Sequence, residues 1–195
     1  KKHGARLMVD DAHSLGVLAD GRGTAAYFGL TDEVDLTMGT FSKSFASLGG
    51  IIVGDAQVID YIRHTARALI FSASMPPASV AAVAACLDVI KREPERCARV
   101  LEIGYRMRDG FRALGFETTD TETPIVPILI GDDLKTFAAW KALSAAGIYV
   151  NPVVPPAVPH NCSRLRTSYM ATHTDEQLDR VLDTFEQVGK ELGII

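Results

Sequence analysis

Arg6-Leu7-Met8-Val9-Asp10-Asp11 is a short apolar run that ends in two acids. It reads as a strand that delivers carboxylates to the end of a sheet, where open α/β sheets place their ligands. Two runs of similar texture follow, Val34-Asp35-Leu36-Thr37-Met38-Gly39-Thr40 and Gly49-Gly50-Ile51-Ile52-Val53-Gly54. Short apolar strands bounded by glycine are expected of a buried sheet in an α/β protein. Between the first two runs, Gly16, Gly21, Gly23 and Gly29 permit tight turns and close backbone approach.

Working outward, Val58, Ile59 and Ile62 recur at helical spacing and predict a helix over about 56–68. Phe71 to Pro77 is extended, because a helix cannot cross its paired prolines. Helices are predicted over 79–91 and 94–114, the second stopped by Gly115. A smaller α/β unit follows. It has strands at 125–130, 148–150 and 165–170 and a helix over 134–146 ended by Gly147. Phe137, Trp140 and Leu143 lie at helical spacing there and read as core. Thr174 and Gln177 have the spacing of a capping box, opening a last helix to about Leu192. The expected organisation is the C-terminal part of a larger sheet domain, 1–77, followed by a small α/β domain, 78–195.

The totals exclude several function classes. A net charge of −4 with dispersed Lys and Arg gives no electrostatic footprint for nucleic acid. The longest apolar stretches fall far short of the ~20 residues that span a bilayer. Cys86, Cys97 and Cys162 are odd in number and far apart, which argues against a disulfide framework or a zinc site and for a reducing cytoplasm. His160 and Cys162 alone are poor support for a metal. The chain opens on Lys1-Lys2-His3 and enters a strand at once, as if cut from something longer.

Two constellations carry chemistry. Asp10-Asp11-Ala12-His13, at a strand end, reads alone equally well as a helix cap or a ligand site. Adjacent strand residues point to opposite faces, so Asp10 and Asp11 are not an acid/base dyad. Gly39-Thr40-Phe41-Ser42-Lys43-Ser44 places a lysine among small hydroxyl residues just past a strand. By itself this is a surface lysine in a turn, or an amine made nucleophilic by desolvation or a nearby cation. Together the motifs supply what a pyridoxal 5'-phosphate (PLP) site needs: an amine for a Schiff base and a carboxylate for the pyridinium nitrogen. His173 reads as structural, just ahead of the Thr174 cap. Arg164 shares a strand face with Arg166, and one of the two is a candidate surface ion pair.

The stretches Val9 to Gly16, Gly21 to Thr24, Gly39 to Lys43, Gly49-Gly50, Phe71 to Pro77, Pro155 to Pro159 and Arg164 to Arg166 resemble, in order and over essentially the whole chain, the C-terminal half of the α-oxoamine synthases. That family has the fold-type I PLP architecture and acts as a homodimer. The resemblance implies that Lys43 holds PLP as a Schiff base, Asp10 pairs with the ring nitrogen, and His13 bonds the ring's phenolic oxygen. It implies that Thr40 contacts the phosphate, that Ser72 and Ala73 reach the partner subunit's phosphate site, and that Arg166 grips the substrate carboxylate. The implied reaction condenses an amino acid with an acyl-CoA, releasing CoA and CO₂, with Lys43 moving the proton. The wording around Lys43, Asn151 to Val154 and Met170 to Thr174 is most like the bacterial serine palmitoyltransferases, so serine is favoured. Val154 departs from the arginine that some of them carry before the paired prolines. The alternatives are 8-amino-7-oxononanoate synthase or 2-amino-3-ketobutyrate CoA ligase activity, a fold-type I aminotransferase, and a non-catalytic partner subunit, which Lys43 argues against. Without the other half, an exposed sheet edge and apolar surface are expected, with no independent catalysis.

Overall fold

The computed structural model describes residues 2–195. By compactness the chain falls into two units, one ending at Ala98 and the other spanning Arg99–Ile195. The boundary read from sequence, at Pro77, coincides with the first residue of a long helix that lies within the first unit.

In the first unit, β1 (Met8–Asp10) leads through a glycine-rich loop and the short helix α1 (Thr24–Tyr27) to β2 (Leu36–Thr40). A second turn returns as β3 (Gly50–Gly54), followed by helices α2 (Ala56–Thr65), α3 (Arg67–Ile70) and α4 (Pro77–Arg92). β2 is the central strand, parallel to β1 with Asp10 opposite Met38 and antiparallel to β3 with Thr40 opposite Gly50. Asp55 caps α2 by accepting from the Gln57 amide at 2.9 Å. Pro77 starts α4 two residues earlier than expected, in the first turn, where the N–H it lacks would have no intrahelical partner. The helix read over 56–68 is broken at Ala66, whose backbone is extended.

The three strands are short and apolar as expected, but β1 and β3 are largely exposed and β2 is half-buried apart from the buried Gly39. Every residue of β3 is exposed, and Met8 in β1 is 54% exposed. Three strands and the helices at hand do not cover this sheet. The unit's buried apolar residues are Val17, Leu18, Phe41, Phe45 and Cys97, and four of these belong to loops.

α5 (Glu95–Ala113) runs on into the second unit. There the order continues β4 (Glu117–Thr118), β5 (Ile125–Gly131), α6 (Asp133–Ala145), β6 (Asn151–Val153), β7 (Ser163–Ser168) and α7 (Asp175–Glu191). The strands form an antiparallel sheet in the order β4-β5-β7-β6. Alternate residues of β7, Ser163, Leu165 and Thr167, are buried, while Arg164 and Arg166 lie on the other face. Ile103, Met107 and Phe111 of α5, Val126 and Ile128 of β5, and Leu178 and Phe185 of α7 form the centre of one continuous core.

Two expectations fail here. The strand read at 148–150 forms at 151–153, because pairing with β7 begins at Asn151; Ile148 and Val150 are buried without joining the ladder. Phe137 and Trp140 are 43% and 38% exposed, while Thr136, Ala139 and Leu143 face the core. Apolar residues on two sides of α6 left its orientation undecided in the sequence. The capping box forms as read: Thr174 Oγ1 accepts from Gln177 N, and Gln177 Oε1 accepts from Thr174 N. Among the described residues no helix is long and apolar enough to cross a membrane, and no cluster of three or more metal ligands occurs.

Candidate active site

Asp10 and Lys43 belong to the C-terminal ends of neighbouring parallel strands. Asp10 is the last residue of β1, opposite Met38, and Lys43 lies three residues past the end of β2. Parallel pairing therefore sends both to the same end of the sheet, as β-sheet ligand sites require.

The segment carrying Lys43 is tightly built. Phe41 N donates to Gly49 O at 2.9 Å and Ser47 N to Phe41 O at 2.8 Å, closing the loop at its base. Phe41 and Phe45 are both buried and meet edge to face at 5.6 Å. Ser47 Oγ donates to Ser79 O, and Cys86 Sγ to Phe45 O, so α4 holds the loop from below. Ala46 adopts a left-handed φ of 47°, unusual for a residue with a side chain and the kind of strain that collects at functional sites. Lys43 sits on this rigid support with its side chain exposed. The desolvation that would make its amine a nucleophile is not supplied by these residues.

Asp10 is exposed and Asp11 is buried, as strand alternation requires. Asp10 Oδ1 accepts from the Ala12 amide at 2.9 Å. His13 is exposed on the same turn. Thr40 Oγ1 and Ser42 Oγ are 2.9 Å apart, a pair of hydroxyls suited to an anionic oxygen, and Thr40 Oγ1 also reaches Gly49 O at 3.4 Å. Ser72 and Ala73 are exposed on the bend after α3, with Ser72 Oγ donating to Ala68 O at 2.5 Å. The same bend brings Met75 so close to Gly49, at φ 91°, that any Cβ on Gly49 would overlap its sulfur. A concavity of about 670 Å³ lies beside Thr40, Gly50, Ile52, Ile62 and Leu69. Asp10, His13 and Lys43 do not line it.

In the second unit, Arg166 lines a separate cavity of about 510 Å³ with Tyr149, Asn151, Tyr169, His173 and Arg180. No acidic side chain lines it, so it suits a carboxylate. Burial pushes the Tyr169 phenol up from its usual pKa, the nearby Thr167 hydroxyl offsetting this only in part. His173 Nδ1 accepts from Met170 N at 3.2 Å, which pins the turn before α7 and agrees with a structural role. Arg164 Nε is turned back onto Cys162 O at 2.9 Å.

The residue that sequence reading undervalued is Asp11. It is 1% exposed, and its Oδ1 accepts from Ser14 Oγ at 2.5 Å and from Thr24 N at 3.1 Å. The Asp-x-x-Ser spacing, a common local side-chain pairing, was the available signal.

An amine, a carboxylate and a pair of hydroxyls at one end of a sheet fit the aldehyde, ring nitrogen and phosphate of PLP. Residues 1–185 match the aminotransferase class I and II family, and the chain belongs to it. Particular relatives fall within the α-oxoamine synthases. A serine palmitoyltransferase from Bacteriovorax stolpii is 51% identical over 195 residues, covering all of this chain and 46% of its own. A putative 8-amino-7-oxononanoate synthase 2 from Mycobacterium tuberculosis is 48% identical over 192 residues, 98% of this chain and 25% of its own. A high-resolution structure of SPT with PLP as internal aldimine superposes with a TM-score of 0.95 at 36% identity, over all of this chain and 50% of that one. The chain thus spans about half the length of the first relatives it matches, and the α/β architecture is that of the SPT fold.

Proposed function

We propose that these residues form the C-terminal half of a PLP-dependent acyltransferase that condenses an amino acid, serine by preference, with an acyl-CoA to a 2-amino ketone, releasing CoA and CO₂. The observation that carries this reading is Lys43, raised on a braced loop at the sheet end where β1 delivers Asp10. The similarity to serine palmitoyltransferases favours serine.

PLP, when bound, supplies an electron sink for charge developing on the substrate's α-carbon. The chain's own residues bind and orient. Lys43 would hold the cofactor through its amine, and its Nζ, when free, would carry the substrate's α-proton. Asp10 keeps the ring nitrogen protonated, and His13 donates to the ring oxygen. Thr40 holds a phosphate oxygen, aided by Ser42. Ser72 and Ala73 complete the phosphate site of a second subunit in a homodimer. Arg166 grips the amino acid's carboxylate with its planar fork. In this reading residues 1–77 belong to the PLP-binding large domain and 78–195 to the small domain, and the enzyme is cytoplasmic. The missing half covers the exposed strands and desolvates Lys43.

The second reading, an 8-amino-7-oxononanoate synthase, rests on the Mycobacterium tuberculosis relative. The test is to incubate the full-length protein with serine, alanine or glycine and a set of acyl-CoAs, following free CoA thiol and product mass. Serine with a long-chain acyl-CoA is expected to give a 2-amino ketone; preference for alanine favours the second reading. Release of an oxo acid without CoA makes the protein an aminotransferase, and no product with any pair removes the assignment.

A further inference from the structure

Asp11 is the only buried carboxylate among the described residues. Its main chain stitches β1 to β2, donating from N to Met38 O at 2.8 Å. Its carbonyl accepts from Ser14 N and Leu15 N, turning the chain that carries His13. Its Oδ1 then closes the loop at both ends, on Ser14 and on Thr24. Gly23 is required beside it: a Cβ there would sit 2.5 Å from Oδ2. The loop so closed is compact, with Gly16 N donating to Gly21 O and Gly23 N to Leu18 O, and with Val17 and Leu18 buried. It also abuts the lysine loop, since a Cβ on Gly16 would fall 2.5 Å from Ser44 Cβ. One buried side chain thereby ties the turn bearing His13 to the residue after Lys43.

We infer that Asp11 is a positioning residue, which fixes His13 and braces the Lys43 loop through the Gly16–Ser44 contact without itself touching substrate. The part of this concerning PLP rests on the proposed function; the bracing does not. Asp11→Asn keeps the Oδ1 acceptor for both donors, whereas Asp11→Ala removes it, and Ser14→Ala removes one bond where the alanine at 11 fails to fold.

The experiment measures hydrogen exchange by mass spectrometry in the full-length protein, together with the pH midpoint of the visible PLP absorbance. Asp11→Ala, or Ser14→Ala more weakly, is expected to speed exchange about tenfold in peptides covering 12–24 and also 41–49, as loss of a buried acceptor does to local opening. The absorbance midpoint moves with it, and Asp11→Asn restores both. Faster exchange confined to 12–24 overturns the proposal, because the brace then ends at its own loop. So does an unchanged midpoint in the folded alanine variant, or an asparagine variant as impaired as the alanine. A wild-type protein with no PLP absorbance ends the functional reading, and the exchange in 41–49 still decides the brace.

Discussion

The two units differ in how they use apolar residues. Of the buried hydrophobic residues described, five lie in the first unit and fifteen in the second. Of the large exposed hydrophobics, seventeen lie in the first and six in the second. The second unit therefore encloses its own core, while the first displays strands composed as if for burial. Apolar surface of that extent marks a binding face or an aggregation hazard. The unit that carries the lysine is the one that leaves most of its apolar surface uncovered.

Five experiments break or sharpen this contrast. The largest effect is expected at Lys43. In the full-length protein Lys43→Ala should lower kcat by about 10²–10⁴, the span of a lost proton-transfer group, with little change in the unfolding temperature. Comparable activity in the variant would remove the chemistry from the first unit. Next is the core: Phe111→Ala, at a fully buried ring contacting Phe116 and Phe185, should cost about 3–5 kcal/mol by denaturant titration. Ile52→Ala should change the stability of the 195-residue chain by no more than about 0.5 kcal/mol, as surface positions do. In the full-length protein its cost should rise to that of a buried residue; equal small costs in both would show that β3 is a true surface.

Smaller effects fall at the edge of the second unit. Thr174→Ala removes half of a capping box and should cost about 1 kcal/mol. Asp175, bonded to Arg99 at 2.6 Å and Arg106 at 2.7 Å, is held below the ordinary aspartate value by the Arg99 hydrogen bond first and the Arg charges after it. A depressed carboxylate stabilises the fold above its unfolded pKa, here near 3.8, and loses that contribution as pH falls through the lower folded value. The difference in unfolding midpoint between wild type and Asp175→Asn should thus be small at neutral pH and vanish in strong acid. A difference that grows on acidification would have the wrong sign.

What was legible in the sequence was local. Glycine- and proline-bounded elements, the Thr174 box and the pairing of a strand-end acid with a post-strand lysine are set by residues within a few positions of each other. What was not legible depended on distant partners. Ile148 and Val150 look like a strand, but β7 supplies pairing only from Asn151 onward. Phe137 and Trp140 could face either way until Leu143 and Ala139 were packed. The exposure of Lys43 and β3 follows from which neighbours are present, and no short pattern encodes that. Asp11 was read correctly as pointing away from Asp10, but its burial appears only once Gly23 and Thr24 fold back onto it.

The most direct measurement is borohydride reduction of the full-length protein in the presence of PLP, followed by peptide mass mapping. A phosphopyridoxyl mass on the peptide containing Lys43 is the predicted result. A modification confined to other lysines, or none at all, would contradict the assignment of this amine as the cofactor's anchor.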